Sequence, residues 1–98
     1  KHSNHKIKAS YSYFNGVEVD KLFAYSGQEI KVDYNFKINN GKIKMIIRSP
    51  WKRELYKKVY KKDTSDSINI QIKIPGYYNI YLIGVETEGQ LDYNCEIQ

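Results

Sequence analysis

The chain has 98 residues, 41% of them hydrophobic and 28% charged, the composition of one globular domain large enough to bury a core of its own. Its single cysteine, Cys95, excludes an intrachain disulfide framework and a cysteine-based zinc site, and there is no run of about 18 apolar residues to cross a bilayer as a helix. Sixteen Lys and Arg against eleven Asp and Glu leave a net charge of +5, which favours polyanionic partners and says nothing about fold.

Residues 1–6 read as a flexible polar tail, and residues 7–98 as a single domain. From Ile7 onward the dominant period is two, the mark of strands with one buried face. Ile7, Ala9, Tyr11 and Tyr13 alternate with Lys8, Ser10 and Ser12. Asn15-Gly16 marks a turn. Val17, Val19 and Leu22-Phe23 follow in an unclear register, and Ser26-Gly27 is the next turn. Ile30, Val32, Tyr34, Phe36 and Ile38 share one face; Ile43, Met45 and Ile47 continue the inward set after Asn39-Asn40-Gly41. Asn and Gly accept positive φ cheaply, so this pair is expected to form a hairpin.

Ser49-Pro50 interrupts the sheet, because proline has no N–H to give to a ladder. Residues 51–62 fit two descriptions. Trp51, Leu55 and Val59 fall on one helical face; Leu55, Lys57, Val59 and Lys61 also suit a strand. An edge strand blunted by lysines is preferred, since its neighbours are strands. Asp63 to Asp66 is a loop. Ile68, Ile70, Ile72 and Ile74 alternate strictly with polar residues, Pro75-Gly76 turns, and Tyr78, Ile80 and Leu82 form the next inward set. Gly84 to Gly89 reads as a hairpin loop before Leu91, Tyr93, Cys95 and Ile97. The expected fold is all-β: an antiparallel β-sandwich of seven or eight strands, Ig-like or jelly-roll-like, with a small barrel as the alternative.

The segments Tyr13-Phe14-Asn15-Gly16, Ser26-Gly27-Gln28-Glu29-Ile30-Lys31-Val32, Asn40-Gly41-Lys42-Ile43-Lys44-Met45 and Pro75-Gly76-Tyr77-Tyr78-Asn79-Ile80 together resemble the small β-sandwich ectodomains of secreted proteins and lipoproteins of low-GC Gram-positive bacteria. The abundance of Lys, Ile, Tyr and Asn, all with AT-rich codons, agrees with such a genome. The resemblance implies an extracytoplasmic location, secreted or lipid-anchored, with any lipidated cysteine upstream of Lys1. It brings no functional residues with it.

Between Arg48 and Lys62 lie seven cations, Arg48, Lys52, Arg53, Lys57, Lys58, Lys61 and Lys62, against Glu54 alone. Trp51, Tyr56 and Tyr60 are interleaved with them. Cations beside amphipathic rings suit anionic cell-surface polymers or lipid head groups; nucleic acid is a weaker expectation. Trp51 and Tyr56 would be the anchors. The plainer reading is a soluble sheet edge with Trp51 tucked into the core. Tyr77 and Tyr81 share the outward phase of their strand; with the sheet edge they form a second candidate surface, for a protein partner, and if that face is covered they are simply packing, the preferred reading.

Glu86 and Glu88, at i and i+2 in an acidic C-terminal stretch, could share a proton or a cation, though a solvated turn is the simpler reading. Asp63 and Asp66 lack the spacing of a calcium loop. His2 and His5 both lie in the tail, which leaves the folded part without a histidine for a catalytic triad. Cys95 shares the inward phase and reads as a small buried hydrophobe. No cofactor motif and no metal-ligand set is present. The functional expectation is a non-catalytic, extracytoplasmic binding or structural module.

Overall fold

The computed structural model describes residues 6–98. The expected tail, with His2 and His5, lies outside these residues except for Lys6, where the first strand begins. The described residues form five strands: β1 (Lys6–Ala24), β2 (Glu29–Arg48), β3 (Glu54–Tyr60), β4 (Thr64–Gln71) and β5 (Gly76–Ile97). All pairings are antiparallel, in the order β1-β5-β2, and β3 and β4 share the far edge of β2. β4 takes Glu29 to Phe36 and β3 takes Ile43 to Arg48. Within the segment 51–62, Glu54–Tyr60 is therefore an edge strand, as the alternation favoured, and no part of it is a helix.

The strands are five because three of them are far longer than the alternation indicated. β5 has 22 residues; at about 3.3 Å per residue it would span roughly 70 Å if straight, whereas the molecule is 40 Å in its longest dimension. It must bend, and the bend is visible in its side chains. Tyr78, Ile80, Leu82 and Gly84 are buried, then the phase changes and Leu91, Tyr93, Cys95 and Ile97 are buried. β2 does the same: even positions Ile30 to Ile38 are buried, then odd positions Ile43, Met45 and Ile47. In β1, Ile7, Ala9 and Tyr11 pack on the core before the change and Phe14, Leu22 and Ala24 after it. Unequal residue counts between partners reset the inward phase, which a regular period of two would have turned to solvent.

The three changes lie side by side. Register shifts fall between Tyr11 and Gly16 in β1 and between Ile38 and Lys42 in β2. The backbone N–H of Glu86 donates to Asn15 Oδ1 at 3.1 Å. A Cβ on Gly41, at φ +79°, would sit 2.3 Å from the Glu86 carbonyl oxygen. Asn39-Asn40-Gly41 is thus a bulge and not the expected hairpin: the segments on either side of it pair with β5 and not with each other. Gly84 to Gly89 is likewise a bulged stretch inside β5, and Asn15-Gly16 one inside β1. Asn-Gly pairs serve both purposes, because a bulge and a tight turn make the same demand for positive φ.

The bent sheet encloses one core, which includes Leu22, Ile30, Val32, Phe36, Ile43, Met45, Ile47, Ile80, Leu82, Leu91 and Cys95, all at most 1–2% exposed. Tyr34, Tyr78 and Tyr93 are buried as expected, each at 2–4% exposure. Each hydroxyl has a partner: Tyr34 accepts from Tyr60, Tyr78 donates to the Ile74 carbonyl at 2.5 Å, and Tyr93 donates to the Asp20 carboxylate. The Tyr78 bond reaches four residues upstream, in the manner of a tyrosine corner. Tyr93 and Asp20 lie on opposite sides of the bend, so their bond closes one half of the sheet onto the other.

Candidate functional site

Bending the sheet over leaves each half with an outward face, and the two faces differ in kind. One is formed by the first part of β1, the first part of β2, β4 and the last part of β5. Its cross-strand rows read Lys8, Asn94, Asp33, Ser67 and Ser10, Asp92, Asn35, Ser65. It is polar throughout. Its shallow depression, lined in part by Asp33, Asp66 and Asp92, brings together no metal-holding group of three His, Cys, Asp or Glu among the described residues.

The other outward face is built from the last part of β1, the first part of β5, the last part of β2 and β3. Its rows read Val17, Ile83, Lys44, Val59, then Val19, Tyr81, Ile46, Lys57, then Lys21, Asn79, Arg48, Glu54, and finally Phe23 with Tyr77. Val17 is 60% exposed, Tyr77 54% and Phe23 41%. Ile46 is buried yet lies outside the core cluster. It is covered by neighbours on this outer face, so the patch has a small packed centre of its own. The Phe23 and Tyr77 rings meet edge to face at 4.9 Å, and Phe23 meets Tyr25 at 5.0 Å. The Lys21 ammonium lies 5.3 Å from the Tyr77 ring centre and the Arg48 guanidinium 5.1 Å from that of Tyr81. Such pairs hold the cations over the aromatic faces.

The basic segment and the Tyr77–Tyr81 pair, separate in the sequence, therefore meet in part. Arg48 and Lys57 lie on the same face as Tyr77 and Tyr81. Arg48 is also ion-paired with Glu54 at 3.5 Å. Tyr56, Lys58 and Tyr60 fall on the opposite, inward phase of β3. Tyr56 is half-buried against the core, and its hydroxyl lies 2.7 Å from that of Tyr60. Lys58 stands over the Tyr60 ring at 5.5 Å. Lys61 and Lys62 are exposed beyond the end of β3, with Lys61 lining a shallow cleft at the bend beside Lys42 and Glu86.

Trp51, Lys52 and Arg53 are at the other end of the molecule. Ser49-Pro50-Trp51-Lys52 is a β-turn closed by Lys52 N–H donating to the Ser49 carbonyl at 2.9 Å, and Ser49 N–H donates to the Arg53 carbonyl at 2.9 Å. Proline at the second position sets the turn, and Lys52 takes a left-handed φ of +61°. Trp51 is carried on the tip at 76% exposure. It is not tucked into the core, as the plainer reading of the sequence had it, because the turn points its ring away from the sheet.

Asp63 and Asp66 have structural tasks. Asp63 Oδ1 accepts from Ile38 N–H and Asp66 Oδ1 from Ser67 N–H, each at 2.8 Å. Glu86 lines the cleft at the bend and Glu88 is not among its lining residues. Cys95 is fully buried, and burial, with the Asp20 carboxylate nearby, pushes its thiol up to about 12. A thiolate is the reactive form.

The sequence reading missed Val17, Val19, Lys21, Phe23, Lys44 and Ile46 as surface elements. A signal for them exists: Ile46 breaks the alternation of its strand and Ile83 sits on an outward phase. Read together they mark a sheet face that is apolar on the outside as well. No protein-family model matches the chain, and no curated protein matches it significantly in sequence.

Proposed function

We propose that the protein is a non-catalytic binding module of a bacterial cell surface, a sandwich-like β domain that makes a peripheral contact with an anionic lipid surface. The observation that supports this is the outward face bearing Val17, Val19, Phe23, Tyr77 and Tyr81 together with Lys21, Lys44, Arg48 and Lys57. Lysine and arginine stems lie along apolar surface while their heads reach phosphate, and aromatic rings settle at the level of the head groups. A hydrophilic wall polymer would use the cations and leave Val17, Val19 and Phe23 in water. A lipid surface uses both.

The test is sedimentation with phosphatidylglycerol and phosphatidylcholine vesicles at low and high salt, for the wild type and a Phe23→Asp, Tyr77→Asp, Lys57→Glu variant. Binding to the anionic vesicles that weakens with salt and is lost in the variant supports the reading. Equal binding of both vesicle types, or no binding at low salt, overturns it.

A second reading is a protein-protein adaptor or inhibitor that uses the same face, favoured by the packed centre at Ile46. Contacts of that kind are barely screened, so partner capture insensitive to salt is its mark.

A further inference from the structure

At the end of the molecule away from the bend, the edges of the two sheet halves come close and leave a groove between β3 and the exit of β4. On one side are Ser49, Trp51, Arg53 and Leu55, on the other Gln71, Lys73 and Ile74, with Tyr78 at the floor. Its volume is about 390 Å³, within the range of small-molecule sites, about 300–1,000 Å³. Leu55 and Ile74 are 42% and 46% exposed beside Trp51. The groove is thus an apolar trough open to water, with Arg53 and Lys73 at its rim.

No carboxylate lines it among the described residues. Two carboxylates beside the lining residues are engaged: Glu54, between Arg53 and Leu55, pairs with Arg48 at 3.5 Å, and Glu29, the cross-strand partner of Gln71, accepts from Gln71 Nε2 at 3.4 Å. Tyr78 spends its proton on the Ile74 carbonyl, and Ser49 Oγ accepts the Arg53 N–H at 3.2 Å. The charged groups that face the trough are therefore both donors with no internal anion. An apolar body with an anionic end satisfies both at once: its chain covers Leu55, Ile74 and Trp51, and its head takes charge-assisted hydrogen bonds from the guanidinium and ammonium.

We propose that this groove binds a free medium-chain fatty carboxylate, with the chain along Leu55, Ile74 and Trp51 and the head group held by Arg53 and Lys73. The site is distinct from the lipid-facing sheet face and does not depend on it.

Trp51 is the only tryptophan, so its fluorescence reports the groove directly. The intact chain is titrated with dodecanoate below its micelle concentration, followed by emission wavelength and by acrylamide quenching. A saturable blue shift with protection from quenching is expected. Butyrate, which lacks the chain, and dodecyltrimethylammonium, which reverses the charge, should bind at least tenfold more weakly. An Arg53→Glu, Lys73→Glu variant should lose at least tenfold in affinity with an unchanged melting temperature, and Leu55→Ser, Ile74→Ser should weaken binding as well. The Phe23→Asp, Tyr77→Asp, Lys57→Glu variant should bind dodecanoate as the wild type does, whatever it does on vesicles. Equal binding of the cationic amphiphile overturns the proposal. So does full retention of affinity by the Arg53→Glu, Lys73→Glu variant, or loss of dodecanoate binding only in the sheet-face variant.

Discussion

The hydroxyl of Tyr60 donates to that of Tyr34 at 2.9 Å, tying the end of the edge strand β3 to the half of β2 that β3 does not pair with. Because Tyr60 has one proton and gives it to Tyr34, the 2.7 Å contact with Tyr56 runs the other way, with Tyr56 donating to Tyr60. The rings pack in the same order, Tyr34 on Tyr60 at 5.4 Å and Phe36 on Tyr60 at 5.1 Å. Tyr60→Phe keeps the ring contacts and removes both hydrogen bonds, leaving a buried Tyr34 oxygen without its donor. That should cost about 1–3 kcal/mol, and Tyr56→Phe about 0.5–1 kcal/mol because it breaks one half-buried bond. In urea unfolding the midpoint should fall with an unchanged slope. A Tyr60→Phe protein as stable as the wild type would remove the triad from any account of how the bent sheet is held.

Burial also holds protons on this region. Tyr34 is pushed up to about 12 by burial, and Tyr60 is raised by burial and by its bonds to Tyr34 and Tyr56. Tyr11 is pushed up to about 12 by burial and by a hydrogen bond with Glu18, and Cys95 to about 12 by burial. The folded chain thus keeps protons that the unfolded chain releases near 10 for tyrosine and 9 for cysteine. Their contribution to stability is complete below pH 9 and is lost as the pH rises through about 12. Tyrosinate absorbance should therefore show a late step coincident with loss of the β-sheet circular dichroism, and Tyr34→Phe should remove one tyrosinate from it. Ionisation of all ten tyrosines with the sheet signal intact would contradict this.

Asp20 works in the opposite pH range. It lies on the inward phase of β1 opposite Ile80, and burial together with the nearby Glu18 charge raises its carboxyl above 3.8. A raised carboxyl makes the folded state the stronger proton binder, so this group's contribution is full below pH 3.8 and is lost as the pH rises through its folded value. Asp20→Asn keeps an oxygen for the Tyr93 hydroxyl without the charge. It should raise the melting temperature at pH 7 and leave it nearly unchanged at pH 3. A lower melting temperature at pH 7 would mean that the ionised carboxylate is needed by Tyr93.

The core was legible in the sequence because its signal is local: each run of alternation from Ile30, Ile43, Tyr78 and Leu91 packs inward as its phase dictates. What joins the runs was not. Asn39-Asn40-Gly41 carries the same residues whether the chain reverses or kinks, and only the pairing of both flanks with β5 decides for a kink. The same ambiguity hid the outer apolar face, since Val17, Tyr81 and Ile46 become neighbours only once β1, β5 and β2 are aligned past the bend. Trp51 was legible only as a choice between surface anchor and core, for another reason. A lone tryptophan beside a sheet is usually core, and the tight turn at Pro50 that holds it outside leaves no periodic trace.

Two left-handed residues at opposite ends of the molecule should respond with opposite signs. Gly41, at φ +79°, faces the Glu86 and Val85 carbonyl oxygens, which an added Cβ would approach to 2.3 and 2.4 Å. These are backbone atoms at the crease of the sheet and cannot move without opening it, so Gly41→Ala should cost more than about 2 kcal/mol. Lys52, at φ +61°, is a non-glycine residue in the same region of conformational space, on an exposed turn where its side chain is unneeded for packing. The steric cost of about 1–2 kcal/mol for a Cβ there exceeds the entropy lost with glycine. Lys52→Gly should therefore stabilise the fold by about 0.5–1 kcal/mol, seen as a higher denaturant midpoint. Destabilisation by Lys52→Gly would show that the turn owes its shape to the lysine, and tolerance of Gly41→Ala would show that the crease is softer than the close approach of β2 and β5 implies.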